Sequence, residues 1–194
     1  VGSMYAFRPK ISPNITHMKR YLSSDLYDAT RLHYLEQNEM GIKNFYEKLK
    51  IKFSKGAVFA ASLAKPSLFS QDTLKKNVSY LIPPVNIEEA LIPLCISSFD
   101  IITGQEKLFT KGNLTDAVMA SCAIPGVFPP VKMDDGLMMD GGIVNPLPCN
   151  HAEKFGADII IAVDLHPNPG PMPNIDNSYD IAMRAADISR FHLK

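Results

Sequence analysis

The sequence has little that would suit a nucleic-acid partner or a membrane span. Its 20 basic and 20 acidic residues cancel to a net charge of zero, and no block of like charge stands out that would attract a polyanion. Nucleic acid is therefore not expected as a partner. The longest apolar runs, residues 57–64 and 159–163, are too short to cross a bilayer, and no charged-then-apolar leader opens the residues given. We therefore expect a cytoplasmic protein.

Cysteine is also scarce, and its placement argues against disulfides and zinc. Cys95, Cys122 and Cys149 are odd in number and lack CxxC spacing, which indicates reduced thiols in a cytosol-like compartment. His151, two positions after Cys149, is the one histidine at a metal-ligand interval from a cysteine. Because zinc ligands normally come as paired clusters, we expect no metal site.

The apolar residues within 11–84 have the spacing that is typical of helices. Apolar residues recur three and four positions apart, and Pro83 and Pro84 end the last segment because proline cannot donate a backbone hydrogen bond. The predicted helices are a first with Ile15, Met18, Tyr21 and Leu22 on one face, a second from Leu26 to Leu35, a third from Ile42 to Leu49, and a fourth over 73–80. The apolar stretch 57–69 is best explained as core, and an acyl pocket or a lipid-facing surface is the alternative.

Residues 91–165 alternate strands and helices, which indicates an α/β fold. The predicted strands are 94–99, 106–110, 131–133, 137–139 and 158–165, with a helix capped by Asn113 and a short helix over 151–155. Because 158–165 is an almost unbroken apolar run, it is typical of a strand buried on both faces of a parallel sheet. An irregular connector over 166–177 and a terminal helix over 178–193 follow. With 46% hydrophobic residues, a single domain over 1–194 is expected.

The strongest candidate for a catalytic site in the sequence is Asp140-Gly141-Gly142, followed by Asn145. A carboxylate at the carboxyl end of a strand, followed by two residues without side chains, lets another backbone approach and leaves the acid facing a crevice. Alone, the tripeptide is more often a plain turn. Its context consists of residues 117–131 (AVMASCAIPGVFPPV), 136–148 (GLMMDGGIVNPLP) and 157–165 (ADIIIAVDL).

In this order and at these spacings, the three segments resemble the bacterial patatin-like phospholipase family, which is related to lysophospholipases of the neuropathy-target-esterase type. Asp100 with residues 103–106 (TGQE) resembles the family's D-L-x-T-G-E segment. Residues 1–6 (VGSMYA) resemble the stretch that follows the nucleophile elbow G-x-S-x-G, and the alternative is that Gly-Ser-Met is left from cloning. In both cases the domain is expected to be incomplete at its amino terminus, without the GGGxRG loop and the elbow, and Ser3 is not the nucleophile.

The resemblance implies a serine hydrolase with a serine–aspartate dyad. Asp140 would take the proton from a serine hydroxyl outside residues 1–194, while Gly141, Gly142 and Asn145 would support the loop that carries the acid. It also implies a partly parallel central sheet sandwiched by helices, a helical subdomain near the site, and no metal or organic cofactor. The expected partner is an acyl ester of a phospholipid or lysophospholipid, and the protein is expected to contact a membrane peripherally. The resemblance implies no particular oligomeric state.

Other residues and other functions have less support in the sequence. Ser97, Ser98 and Ser121 do not sit in G-x-S-x-G, and the five histidines are scattered, so a Ser-His-Asp triad confined to this chain is not favoured. One competing function is a catalytically inactive patatin-like scaffold that binds lipid or protein partners. Another is an esterase for small soluble acyl compounds.

Overall fold

The structure is a computed structural model that describes residues 2–30, 67, 69–134, 136–164, 170–171 and 178–192. The helices are α1 (Gly2–Phe7), α2 (Ile11–Leu22), α3 (Asp25–Thr30), α4 (Gln71–Leu81), α5 (Leu114–Ser121), α6 (Cys149–Lys154) and α7 (Ser178–His192), with 3₁₀ turns at Ile87–Glu89 and Gly141–Ile143. The strands are β1 (Ile96–Asp100), β2 (Glu106–Phe109), β3 (Val131–Met133) and β4 (Gly136–Asp140). The predicted helix 42–49, the end of the predicted helix 26–35, and most of the stretch 57–69 and of the connector 166–177 lie outside the described residues.

Helix α2 confirms the first predicted helix, but the buried face is rotated from the predicted one. Tyr21 is buried and Met18 packs against the core, whereas Ile15 and Leu22 are 49% and 40% exposed. At roughly 100° per residue, Ile15 and Leu22 lie about a quarter turn from the centre of the stripe that carries Met18 and Tyr21. A buried hydrogen bond of 2.6 Å from the Tyr21 hydroxyl to Asn77 Oδ1 of α4 fixes this orientation, and the pattern of apolar residues alone does not reveal it.

Helices α4 and α5 begin at the polar caps that their sequences provide. The Ser70 hydroxyl accepts from the Thr73 amide at 3.2 Å, and Asn113 Oδ1 accepts from the Asp116 amide at 3.0 Å. These bonds satisfy amide groups that have no partner within the first turn of a helix. The predicted cap at Asn113 is confirmed.

Four antiparallel strands form the sheet, in the order β2-β1-β4-β3. Strands β1 and β2 confirm the strands predicted over 94–99 and 106–110, and they form an antiparallel hairpin with Phe99 opposite Glu106. On its other side, β1 pairs with β4, and this places Phe99 opposite Met139 and Ser98 opposite Asp140. Helices combined with a sheet confirm the α/β class.

The predicted parallel strand over 158–165 is wrong in this structure, and so is the partly parallel character of the described sheet. Residues 158–164 belong to no strand, with a bend at Asp158 and Ile159, and Ile159, Ile161 and Val163 are 83%, 86% and 72% exposed. A parallel strand is buried only when other strands flank it and helices cover both of its faces. None of the four described strands pairs with this segment, so its apolar side chains face solvent.

The core lies where α4 and α5 pack on the sheet. Leu114, Ala117 and Ala120 of α5 are at most 1% exposed, and Met138 and Met139 of β4 are at most 5% exposed. The part of β4 directly before the candidate acid is therefore fixed by packing. None of the helices in the described part of the chain combines the length and apolar character that crossing a bilayer requires.

Candidate active site

Strand β4 brings Asp140 to the end of the sheet, where it is half-buried. It lies opposite Ser98 of β1, and its own amide donates to the Ala123 carbonyl at 3.1 Å. Ala123 follows α5 and is fully buried. The backbone of the candidate acid is thus attached to the neighbouring strand and to the segment after α5.

The chain turns sharply directly after Asp140. Asp140 Oδ1 accepts a hydrogen bond of 2.9 Å from the Gly142 amide, and the Gly141 carbonyl accepts from the amides of Val144 and Asn145 at 3.1 and 3.0 Å. This 3₁₀ turn satisfies the backbone at the end of the strand. It also orients the carboxylate, because one of its oxygens is held by the turn that it caps.

The two glycines are needed for different reasons. A Cβ added at Gly141 would lie 2.7 Å from the carbonyl carbon of Ser97 and 2.8 Å from its oxygen, so the turn packs directly on the backbone of β1. A Cβ at Gly142 would lie 3.2 Å from Asp140 Oδ1. Gly141 therefore permits the close backbone approach expected of this motif, and Gly142 gives space to the carboxylate.

The Cys122 thiol is in the electrostatic field of Asp140. Desolvation by the surrounding protein and then the negative charge of Asp140 raise the pKa of Cys122 to about 11, although the residue as a whole is exposed. The thiol is therefore protonated at neutral pH. Because the thiolate is the reactive form of cysteine, Cys122 is poorly suited to act as a nucleophile.

Asn145 joins a polar cluster that the sequence did not predict. Its amide nitrogen lies 3.1 Å from Glu106 Oε1, 3.1 Å from Asn150 Oδ1 and 3.2 Å from His151 Nε2. His151 Nε2 in turn lies 2.8 Å from Glu106 Oε1. In the sequence, His151 was notable only for its spacing from Cys149. Within the described residues, no group of three or more His, Cys, Asp and Glu side chains is placed to hold a metal ion.

Other residues that drew attention in the sequence have structural contacts. The Ser98 hydroxyl is fully buried and donates to the Met139 carbonyl at 2.6 Å. Asp100, from the segment that resembles D-L-x-T-G-E, lies opposite Met138 rather than beside Asp140. Ser3 lies in α1 and Ser121 is the last residue of α5.

An apolar groove of about 770 Å³ lies beside the hairpin, lined by Leu91, Leu94, Leu108 and Phe155 among others, with Ser97 and His151 at its wall. Side chains alternate between the two faces of a strand, and residues that pair across strands share a face. Ser97 is therefore directed away from the face that carries Ser98 and Asp140. The groove does not open onto the candidate acid.

Comparison with known proteins yields several relatives. The chain is 35% identical over 105 residues to an uncharacterized NTE family protein of Mycobacterium bovis, covering 54% of this chain and 29% of that protein. It is 33% identical over 101 residues to patatin-like phospholipase domain-containing protein 7 of Mus musculus, covering 51% of this chain and 8% of that protein. A neuropathy target esterase of Drosophila melanogaster is 34% identical over 101 residues, covering 51% of this chain and 7% of that protein.

The chain thus spans less than a third of the length of these relatives. Residues 12–152 match the family model of the patatin-like phospholipases. This range covers most of the chain and includes Asp140, its two glycines and the Asn145 cluster, and the resemblance noted in the sequence is confirmed. The chain belongs to the patatin-like phospholipase family.

Proposed function

We propose that this chain forms part of a serine hydrolase that cleaves acyl esters of phospholipids or lysophospholipids. Asp140 acts as the general base for a serine that is supplied from outside residues 1–194. The observation that carries the proposal is the placement of Asp140 at the end of β4, half-buried and with Oδ1 held by the Gly142 amide, in a chain of this family. The names of the relatives, a phospholipase-domain protein and an esterase, support the reaction class.

The chemistry requires an oriented carboxylate. A serine hydroxyl becomes an effective nucleophile when a neighbouring base takes its proton as it attacks the ester carbonyl. Asp140 Oδ1 accepts a hydrogen bond from the Gly142 amide, and this bond restrains the orientation of the carboxylate. As the ester C–O bond breaks, Asp140 would return the proton to the leaving alcohol. Water, which Asp140 would activate in the same way, then cleaves the acyl-enzyme, releasing the fatty acid and restoring the serine hydroxyl. The proposal places the protein in the cytoplasm, in peripheral contact with the lipid surface that presents its substrate.

The test uses the intact protein, including the residues that precede this chain. We expect a fluorophosphonate probe to label it covalently, and we expect Asp140→Asn to lower ester hydrolysis by about 10²- to 10⁴-fold, as is typical for loss of a general base. Asparagine keeps the shape of the side chain and an oxygen for the Gly142 amide, so the turn is preserved. The exposed Asp158 provides the matched control, and Asp158→Asn should hydrolyse at the parent rate.

Two results would contradict the proposal. Hydrolysis by Asp140→Asn at the parent rate would remove Asp140 from the mechanism. A parent protein that neither takes up the probe nor hydrolyses any ester would favour a scaffold that binds lipid or protein partners. A panel of phospholipids, lysophospholipids and short p-nitrophenyl esters decides the substrate class, because preference for the short esters would contradict the lipid assignment.

A further inference from the structure

A long-range contact connects the loop after Asp140 to the hairpin of β1 and β2. Glu106 is the first residue of β2, and its Oε1 is 3.1 Å from the Asn145 amide nitrogen, 39 residues later, and 2.8 Å from His151 Nε2 in α6. The side chains of His151 and Glu106 are 12% and 25% exposed. We call these three side chains the Glu106 clamp.

The hydrogen-bond count assigns a role to each member of the clamp. The Asn145 amide has two hydrogens, which are directed to Glu106 Oε1 and Asn150 Oδ1 at 3.1 Å each. The hydrogen on His151 Nε2 then points to Glu106, and Nε2 cannot at the same time accept from Asn145. Glu106 is therefore the shared acceptor, and hydrogen bonds to a carboxylate are stronger than those between neutral groups.

The charge of Glu106 also acts inside the fold. Burial and then the negative charge of Glu106 raise the pKa of the Cys95 thiol, directly before β1. The Glu106 side chain is itself only 25% exposed, so it is largely shielded from solvent. Replacing it with an apolar residue would leave one of the two Asn145 amide hydrogens and the hydrogen on His151 Nε2 without their shared acceptor. Partly buried polar groups that lose a partner in this way are costly.

The clamp completes a closed path around the candidate acid. Glu106 lies opposite Phe99 of β1, and Phe99 lies opposite Met139, directly before Asp140. From Asp140 the chain runs through the 3₁₀ turn to Asn145, which returns to Glu106. The backbone bonds within the turn are local, since Val144 and Asn145 both donate to Gly141. Glu106 adds a side-chain hydrogen bond that joins the end of this turn to β2.

We propose that Glu106 and His151 are positioning residues, which hold the loop over residues 141–151 against β2 and so fix the direction of the Asp140 carboxylate. Neither side chain has a reacting role in this proposal. The catalytic part of the inference rests on the proposed function, whereas the anchoring of the loop does not.

Amide hydrogen exchange of Val144 and Asn145 tests the anchoring without any activity. We expect Glu106→Ala and His151→Ala to speed exchange at both amides by about tenfold or more, because the turn opens more often once its anchor is lost. Glu106→Gln keeps an acceptor oxygen and His151→Gln keeps a donor, so both should restore exchange to near the parent rate. Exposed Glu153 of α6 gives the matched control, Glu153→Ala. Unchanged exchange in both alanine variants would overturn the proposal.

Steady-state kinetics of the intact protein test the consequence for Asp140. We expect Glu106→Ala to lower kcat by about 10- to 100-fold with little change in KM, since a displaced base weakens the chemical step more than substrate binding. Glu106→Gln should recover most of kcat. Faster exchange with an unchanged kcat would overturn the positioning role. A parent that hydrolyses no ester would contradict the proposed function and with it the catalytic part, and amide exchange would still decide the anchoring.

Discussion

At the residue scale, the glycines after Asp140 show how the site depends on space that side chains would occupy. An added Cβ at Gly141 meets the Ser97 backbone at 2.7–2.8 Å, and only a shift between β1 and β4 could relieve this clash. At Gly142 the nearest atom is Asp140 Oδ1 at 3.2 Å, and a small rotation of that side chain suffices. Gly141 therefore governs packing, and Gly142 governs the position of the acid.

This difference predicts that alanine at Gly141 mainly lowers stability, whereas alanine at Gly142 mainly lowers activity. Gly141→Ala should lower the free energy of unfolding by about 1–3 kcal/mol, as is usual when a close-packed site is overfilled. Gly142→Ala should change the free energy of unfolding much less but lower kcat of the intact protein, because it displaces the Asp140 carboxylate. Urea denaturation and ester kinetics measure the two effects. Gly170→Ala is the control, since nothing lies within 4 Å of its added Cβ. Equal stability of Gly141→Ala and this control would contradict the prediction.

The sequence allowed part of this site to be predicted, and the limit is physical. One turn of the chain contains Asp140, Gly141, Gly142 and Asn145. The conformation of a turn depends on the residue types within it, so it can be predicted from a short stretch of sequence. Glu106 is separated from Asn145 by 39 positions. Its contact arises from the strand register, and nothing local in the sequence fixes that register. The clamp could therefore be found only from the structure.

At the scale of elements, Asp100 joins the hairpin to β4. Its Oδ1 accepts from the amides of Ile102 and Leu137 at 3.1 Å each, and its Oδ2 accepts from the Thr103 hydroxyl at 2.9 Å. The Ile102 amide first, and then the Leu137 amide and the Thr103 hydroxyl, hold the pKa of Asp100 below its usual value of 3.8. The carboxylate thus stabilises the turn and the β1–β4 pair in its charged form.

The lowered pKa predicts how stability depends on pH. A carboxyl group whose pKa is lower in the folded than in the unfolded state stabilises the fold above the unfolded value, and this stabilisation is lost as pH falls through the folded value. We expect Asp100→Asn to lower the melting temperature at pH 7. The difference from the parent should shrink below about pH 4, as the Asp100 carboxyl of the parent becomes protonated.

Thermal denaturation from pH 7 to pH 2.5 measures this effect, and Asp116→Asn on the exposed surface of α5 is the control. A difference in melting temperature between Asp100→Asn and the parent that stays constant over the whole range would contradict the role of the Asp100 charge.

Elements with local stop and start signals were predicted well from the sequence. Helix α5 begins at its Asn113 cap, and α4 ends before Pro83 and Pro84. The segment 158–165 was predicted wrongly, because an apolar run indicates that a strand can be buried but not which strands would flank it. The rotated face of α2 has a similar origin, since the Tyr21–Asn77 contact joins residues 56 positions apart.

At the scale of the whole molecule, the exposed segment after α6 is the main departure from a well-covered core. Ile159, Ile161 and Val163 are each more than 70% exposed, in a segment that belongs to no strand. An exposed apolar segment rich in β-branched residues is prone to pair with another chain as a strand. The 194-residue chain by itself should therefore associate with further copies.

This association predicts a charge substitution that suppresses it. We expect the 194-residue chain to elute as larger species in size-exclusion chromatography with light scattering, in a manner that grows with concentration. Ile161→Lys should shift it toward the monomer, because a charge at the centre of the segment opposes strand pairing between chains. Ile11→Lys is the matched control, since Ile11 is 69% exposed but begins helix α2, and a helical segment cannot pair as a strand. Equal effects of the two substitutions would mean that general surface charge, and not the exposed apolar segment, controls association.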